Sequence, residues 1–79
     1  MIDHRENVRL LTELVAGEPA KVFQMCLSSD DIKRLGAMGL TVGSVVSLMV
    51  DSDKGDVIVA VGNSRIALSH DVAEKIYVY

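Results

Sequence analysis

The side chains able to do chemistry in this sequence are few and far apart. Cys26, His4 and His70 are the only soft or imidazole ligands. No two of them stand at i, i+4 or at Cys-x-x-Cys spacing, the patterns that bring zinc or iron ligands together. Asp51, Asp53 and Asp56 fall in an Asp-x-Asp-x-Gly-Asp loop that has the start of a calcium loop but lacks its later bidentate Glu. A solvated hairpin tip is the simpler reading. Cys26 reads as a small buried hydrophobe, and His70 as a solvated residue near a helix start. One cysteine and two distant histidines make no nucleophile–base pair. Gly36, Gly39 and Gly43 form neither G-x-G-x-x-G nor a Walker A with a following Lys-Ser/Thr. The expectation is a protein that is not an enzyme, with no cofactor and no metal site.

What remains is a surface. Lys33 and Arg34 stand together, followed by Met38 and Leu40, and offer a basic and apolar patch on a chain of net charge −3. Carboxylates of a partner would meet such cations, and methionine adapts well at interfaces. The competing reading places Met38 and Leu40 in the core and leaves the two cations merely solvated. Grooves for proline-rich ligands are lined with aromatics. Here there are only Phe23, Tyr77 and Tyr79, so that mode is not expected.

The elements that must position these residues follow from composition and pattern. Seventy-nine residues make one domain, and 49% hydrophobic content fills one small core. That core must be aliphatic, since there is no Trp and only one Phe. The net charge and a pI near 5.1 argue against a nucleic-acid partner, whose domains show a basic stripe. The apolar runs are far shorter than the ~20 residues of a spanning helix. No secretory signal is visible at the N-terminus. With a lone cysteine, these features favour a reduced, intracellular compartment.

Residues 1–10 read as a flexible N-terminal arm and 11–79 as the folded domain. Leu11, Leu14 and Val15 start an apolar cluster, and Gly17-Glu18-Pro19 is a turn. Lys21 to Leu27 reads as a strand, with Val22, Gln24 and Cys26 on one face. Ser28-Ser29-Asp30-Asp31 starts a helix. Ile32, Leu35 and Met38 share its buried side, and Lys33, Arg34 and Ala37 look outward. Gly39 follows as a left-handed cap. Val45 to Val50 is a strand with Val46, Leu48 and Val50 on one face. Val57 to Val61 reads as a central strand covered on both sides, Gly62-Asn63 as a tight hairpin turn and Arg65 to Leu68 as its partner strand. Ser69 caps a short helical turn from His70 to Lys75, with Val72 and Ile76 inward. Tyr77 to Tyr79 is a last strand, whose edge could pair with a second copy as a weak homo-oligomer. The structural turns are assigned to Gly17, Gly39, Gly43 and Gly62. The sum is a mainly β chain: a small SH3-like β-barrel of about five strands with one or two short helices.

Three segments carry a family resemblance. They are Leu11-Thr12-Glu13-Leu14-Val15-Ala16-Gly17-Glu18, then Arg34-Leu35-Gly36-Ala37-Met38-Gly39-Leu40-Thr41-Val42-Gly43, and last Ser64-Arg65-Ile66-Ala67-Leu68 with Val72-Ala73-Glu74-Lys75-Ile76-Tyr77-Val78. In this order and spacing the chain resembles the ferrous iron transport protein A (FeoA) family. It departs at Val42, where the family often has Pro. The resemblance implies a cytoplasmic SH3-like domain that acts with the membrane ferrous iron transporter FeoB through its GTPase-bearing cytoplasmic part. An accessory role in iron transport is implied, not a catalytic one. The same fold resembles the C-terminal domain of iron-dependent repressors, which is the alternative.

Overall fold

Ser28 stops the chain from continuing as a strand. Its hydroxyl accepts the Asp31 N–H at 3.2 Å and opens helix α1, Ser29–Ala37. Asp30 and Asp31 lie in the first turn, where their charge suits the dipole. In this computed structural model, which describes residues 8–52 and 55–79, six strands surround that helix in sequence. They are β1 (Arg9–Leu10), β2 (Pro19–Met25), β3 (Val45–Asp51), β4 (Val57–Val61), β5 (Ser64–Leu68) and β6 (Ile76–Val78). A single 3-10 turn, Leu11–Glu13, follows β1, and a short helix α2, His70–Ala73, precedes β6.

All pairings are antiparallel, in the order β1-β6-β2-β3-β4-β5. The expected five-stranded barrel is thus a six-stranded sheet, and it does not close: β1 and β5 remain its two ends. The added strand is β1. Arg9 and Leu10, placed in the N-terminal arm by composition, pair with Val78 and Tyr77. β6 lies between β1 and β2, so it offers no free edge to a second copy.

One aliphatic core fills the curve of the sheet. Leu11, Val22, Leu40, Val46, Val57, Val59, Ile76 and Val78 are fully buried within it. Two bulges reset the strand faces that alternation alone predicts. In β2 the register shifts between Val22 and Gln24, so Met25 joins Val22 in the core. Cys26 then falls beyond the strand end and is exposed, not buried. In β3 the shift between Leu48 and Val50 turns Val50 out to solvent. Val57 and Val59 of β4 are inward, but Ile58, Ala60 and Val61 are only half-buried, so the strand is covered fully on one side alone.

Turns close the gaps. Gly17, Gly39, Gly43 and Gly62 take φ of 86°, 96°, 93° and 58°. Gly62 and Asn63 join β4 to β5 with positive φ at the first position only, the pattern of a type II′ hairpin. At Glu18 a second kind of lock ties the start of the fold together. Its carboxylate accepts from the Arg9 guanidinium at 2.8 Å and from the Val15 N–H at 3.1 Å. Both bonds favour the charged form, the Arg9 bond more, and hold Glu18 below its ordinary value of 4.5. A lowered folded-state value adds stability above the unfolded pKa, and that stability is lost as pH falls through the folded value. Thermal melts from about pH 7 to about pH 3 should therefore show the advantage of the parent over Glu18→Gln shrinking with acid. A gap that stays constant would mean the pair does not act on stability.

Candidate functional site

α1 ends in a way that decides which of its residues face outward. The Gly39 N–H reaches the Gly36 carbonyl at 3.0 Å, and the Leu40 N–H reaches the Leu35 carbonyl at 2.9 Å. These are the two bonds of a Schellman motif, with Gly39 at its left-handed position. The motif folds Leu40 back over Leu35, and both are buried. Leu40 is 0% exposed and so belongs to the core. Met38 is 44% and Ile32 38% exposed, so the expected buried side of α1 shrinks to Leu35. The helix is short, and only this one position points squarely at the sheet.

The polar residues after the motif hold its shape. The Thr41 N–H bonds to the Ser44 hydroxyl at 3.0 Å, and that hydroxyl donates to the Gly39 carbonyl at 3.1 Å. Gly43 N–H then joins the Val22 carbonyl at 2.8 Å, which carries the chain into β3 beside β2. Val42, at the departure from the family pattern, is exposed in this turn.

Between α1 and the β5–α2 segment runs a groove of about 200 Å³. Leu35, Met38, Leu68 and Val72 give it an apolar lining, with Ala67 and Ser69 beside them. Asp31 and Arg34 stand on its helical wall and pair at 3.3 Å. The N-cap lies at Ser28, so Asp31 is a helix residue one turn before Arg34. Arg34 remains largely exposed, and exposed pairs hold only weakly. Lys33 is exposed and makes no ion pair with the described residues. The groove is smaller than the ~300–1,000 Å³ of small-molecule sites. A second, more open hollow of about 280 Å³ lies over β2, β3 and β4, lined by residues without charge.

Of the surface residues proposed from the sequence, Arg34 and Met38 thus come together in the groove, whereas Lys33 and Leu40 are not among its lining residues. Ala67, Leu68, Ser69 and Val72 were missed. The one signal for them is Ser69, which caps α2 by accepting the Val72 N–H at 3.3 Å and so turns the chain at the end of β5.

The potential ligands stay apart. His70 is half-buried, not solvated: its Nε2 lies 3.2 Å from Asp51 Oδ1 and contacts the Ser52 carbonyl. His70 thereby ties α2 to the end of β3. Among the described residues no three His, Cys, Asp or Glu side chains converge as a metal site would require. His4 and Asp53 lie outside the described residues. No helix among the described residues is long and apolar enough to cross a membrane.

A curved antiparallel sheet around an aliphatic core, with short helices at its turns, defines a small SH3-like β domain. The FeoA domain model matches residues 9–79. The chain belongs to the FeoA family. Its fold is similar to a crystal structure of an iron uptake regulatory protein (FeoA), at 27% identity and TM-score 0.80, covering 90% of this chain and 95% of that one. It is also similar to iron(II) transport protein A from Clostridium thermocellum, at 28% identity and TM-score 0.78, covering 89% of this chain and 44% of that one. IdeR of T. acidophilum shares 28% identity at TM-score 0.75 over 90% of this chain, but only 33% of the length of that protein. Comparison with curated proteins gives no match.

Proposed function

We propose that this chain is a cytoplasmic accessory protein of ferrous iron uptake, not an enzyme, and that it acts by docking on the cytoplasmic part of a FeoB-type membrane GTPase transporter. The carrying observation is the groove: an apolar channel with Arg34 on its wall, on a chain of net charge −3, with the exposed Lys33 next to Arg34 in sequence. Support for the iron setting comes from relatives described as an iron uptake regulatory protein and an iron(II) transport protein. Cations beside an apolar cleft steer and orient an acidic partner. The likeness to one third of IdeR supports a second reading, a stand-alone relative of a repressor domain. A transporter reading frame beside this one favours the first, and its absence the second.

The double variant Lys33→Glu with Arg34→Glu tests the docking surface. Exposed substitutions usually change stability by about 0.5 kcal/mol or less each, so melting should shift by no more than a few degrees. Association with the transporter's cytoplasmic part should weaken, and cellular iron uptake with it. A folded double variant that is pulled down as well as the parent would place the interface elsewhere.

A further inference from the structure

One wall of the groove is the free end of the sheet. β5 is the terminal strand and pairs with β4 alone. The two-residue hairpin closes on Val61 and Ser64, and the β4–β5 ladder then runs to Val57 and Leu68 with no bulge. Hydrogen-bonded and non-hydrogen-bonded pairs alternate along such a ladder. Ser64, Ile66 and Leu68 therefore turn their backbone groups toward β4, while Arg65 and Ala67 turn theirs outward. No backbone bond among the described residues outside the ladder reaches Arg65 or Ala67.

Exposed edges of this kind are commonly blunted by a bulge, a proline or a covering loop. β5 has neither bulge nor proline, and at Ala67 only a methyl group stands beside the open edge. Across the groove, α1 presents Leu35, Met38 and Arg34. A strand edge facing a helix across an apolar cleft is the arrangement that accepts an extended peptide: the edge supplies backbone bonds, and the cleft takes every second side chain.

We propose that the groove binds an extended segment of the partner as an added strand on β5. The segment pairs with the backbone of Arg65 and Ala67. Its inward side chains are apolar and lie against Leu35, Met38 and Val72. A carboxylate on it meets Arg34, in competition with Asp31. The charge at the groove selects this occupant: Arg34 on the helical wall and Arg65 on the edge strand outnumber the single carboxylate of Asp31, so an acidic, alternating segment gains where a basic one meets two like charges.

This proposal rests on the docking reading above, and the experiment separates the two. Amide hydrogen exchange is followed in the full chain, alone and with the transporter's cytoplasmic part. Binding should slow exchange at Arg65 and Ala67 by at least about tenfold. Ala67→Pro removes the outward N–H without touching the ladder to β4, and an edge strand tolerates proline there. That variant should bind at least about tenfold more weakly. If it fails to fold, the exchange measurement on the parent still decides. Binding without protection of these two amides would overturn strand addition and leave the docking reading intact. If the transporter part does not bind at all, the docking reading fails, and a synthetic peptide alternating valine and glutamate decides the inference. Protection of Arg65 and Ala67 by that peptide supports it, and no protection overturns it.

Discussion

Leu40→Ala should destabilise the domain by about 2–5 kcal/mol, the usual cost of emptying a fully buried leucine site. Its side chain has no exposed surface and packs where the Schellman motif folds it against Leu35. A chain of 79 residues has little stability to lose, so a large part of the population should unfold near body temperature. Met38→Ala, two residues earlier and nearly half exposed, should cost far less. Thermal or urea unfolding of the two variants measures the difference. Similar midpoints would mean that α1 does not anchor through Leu40, and the groove wall it supports would lose its physical basis.

Gly39→Val should cost about 1–3 kcal/mol through backbone strain. The φ of 96° is one that a β-branched residue rarely adopts. No atom stands within 4 Å of the position a Cβ would take, so the cost comes from the backbone and not from a clash. Gly39→Asn should cost much less, because Asn tolerates positive φ. Equal melting temperatures for the two variants would remove the capping argument. Unlike Leu40→Ala, Gly39→Val also acts on the direction in which the chain leaves α1, so it should disturb partner binding even where the domain stays folded.

Local chemistry made much of this fold legible. β-branched runs mark β3 and β4, Gly62-Asn63 marks the hairpin, and Ser28 and Ser69 mark both helix starts. What stayed hidden depends on tertiary context. β1 is two residues inside a polar lead-in, and its pairing partner lies almost seventy residues away at Val78 and Tyr77. The bulges at Val22/Gln24 and Leu48/Val50 reverse the strand faces beyond them. Strict alternation puts Cys26 on the face of Val22 and Val50 on the face of Leu48, yet Cys26 and Val50 are exposed while Val22 and Leu48 are buried. His70 finds Asp51 and Ser52 only because α2 folds back on the end of β3. The groove is hidden for the same reason. Arg34 and Met38 could be read as surface from the helix, but Ala67, Leu68 and Val72 meet them only once β5 and α2 are in place.

The groove between α1 and the β5–α2 segment is the proposed docking surface. The most direct test is an amide chemical-shift titration of the isotope-labelled chain with the transporter's cytoplasmic part. The predicted result is saturable binding, with the largest shifts at Arg34, Leu35, Met38, Ala67 and Val72. Shifts confined to the opposite end of the sheet, around Arg9 and the Val15–Glu18 turn, or no binding at all, would contradict it.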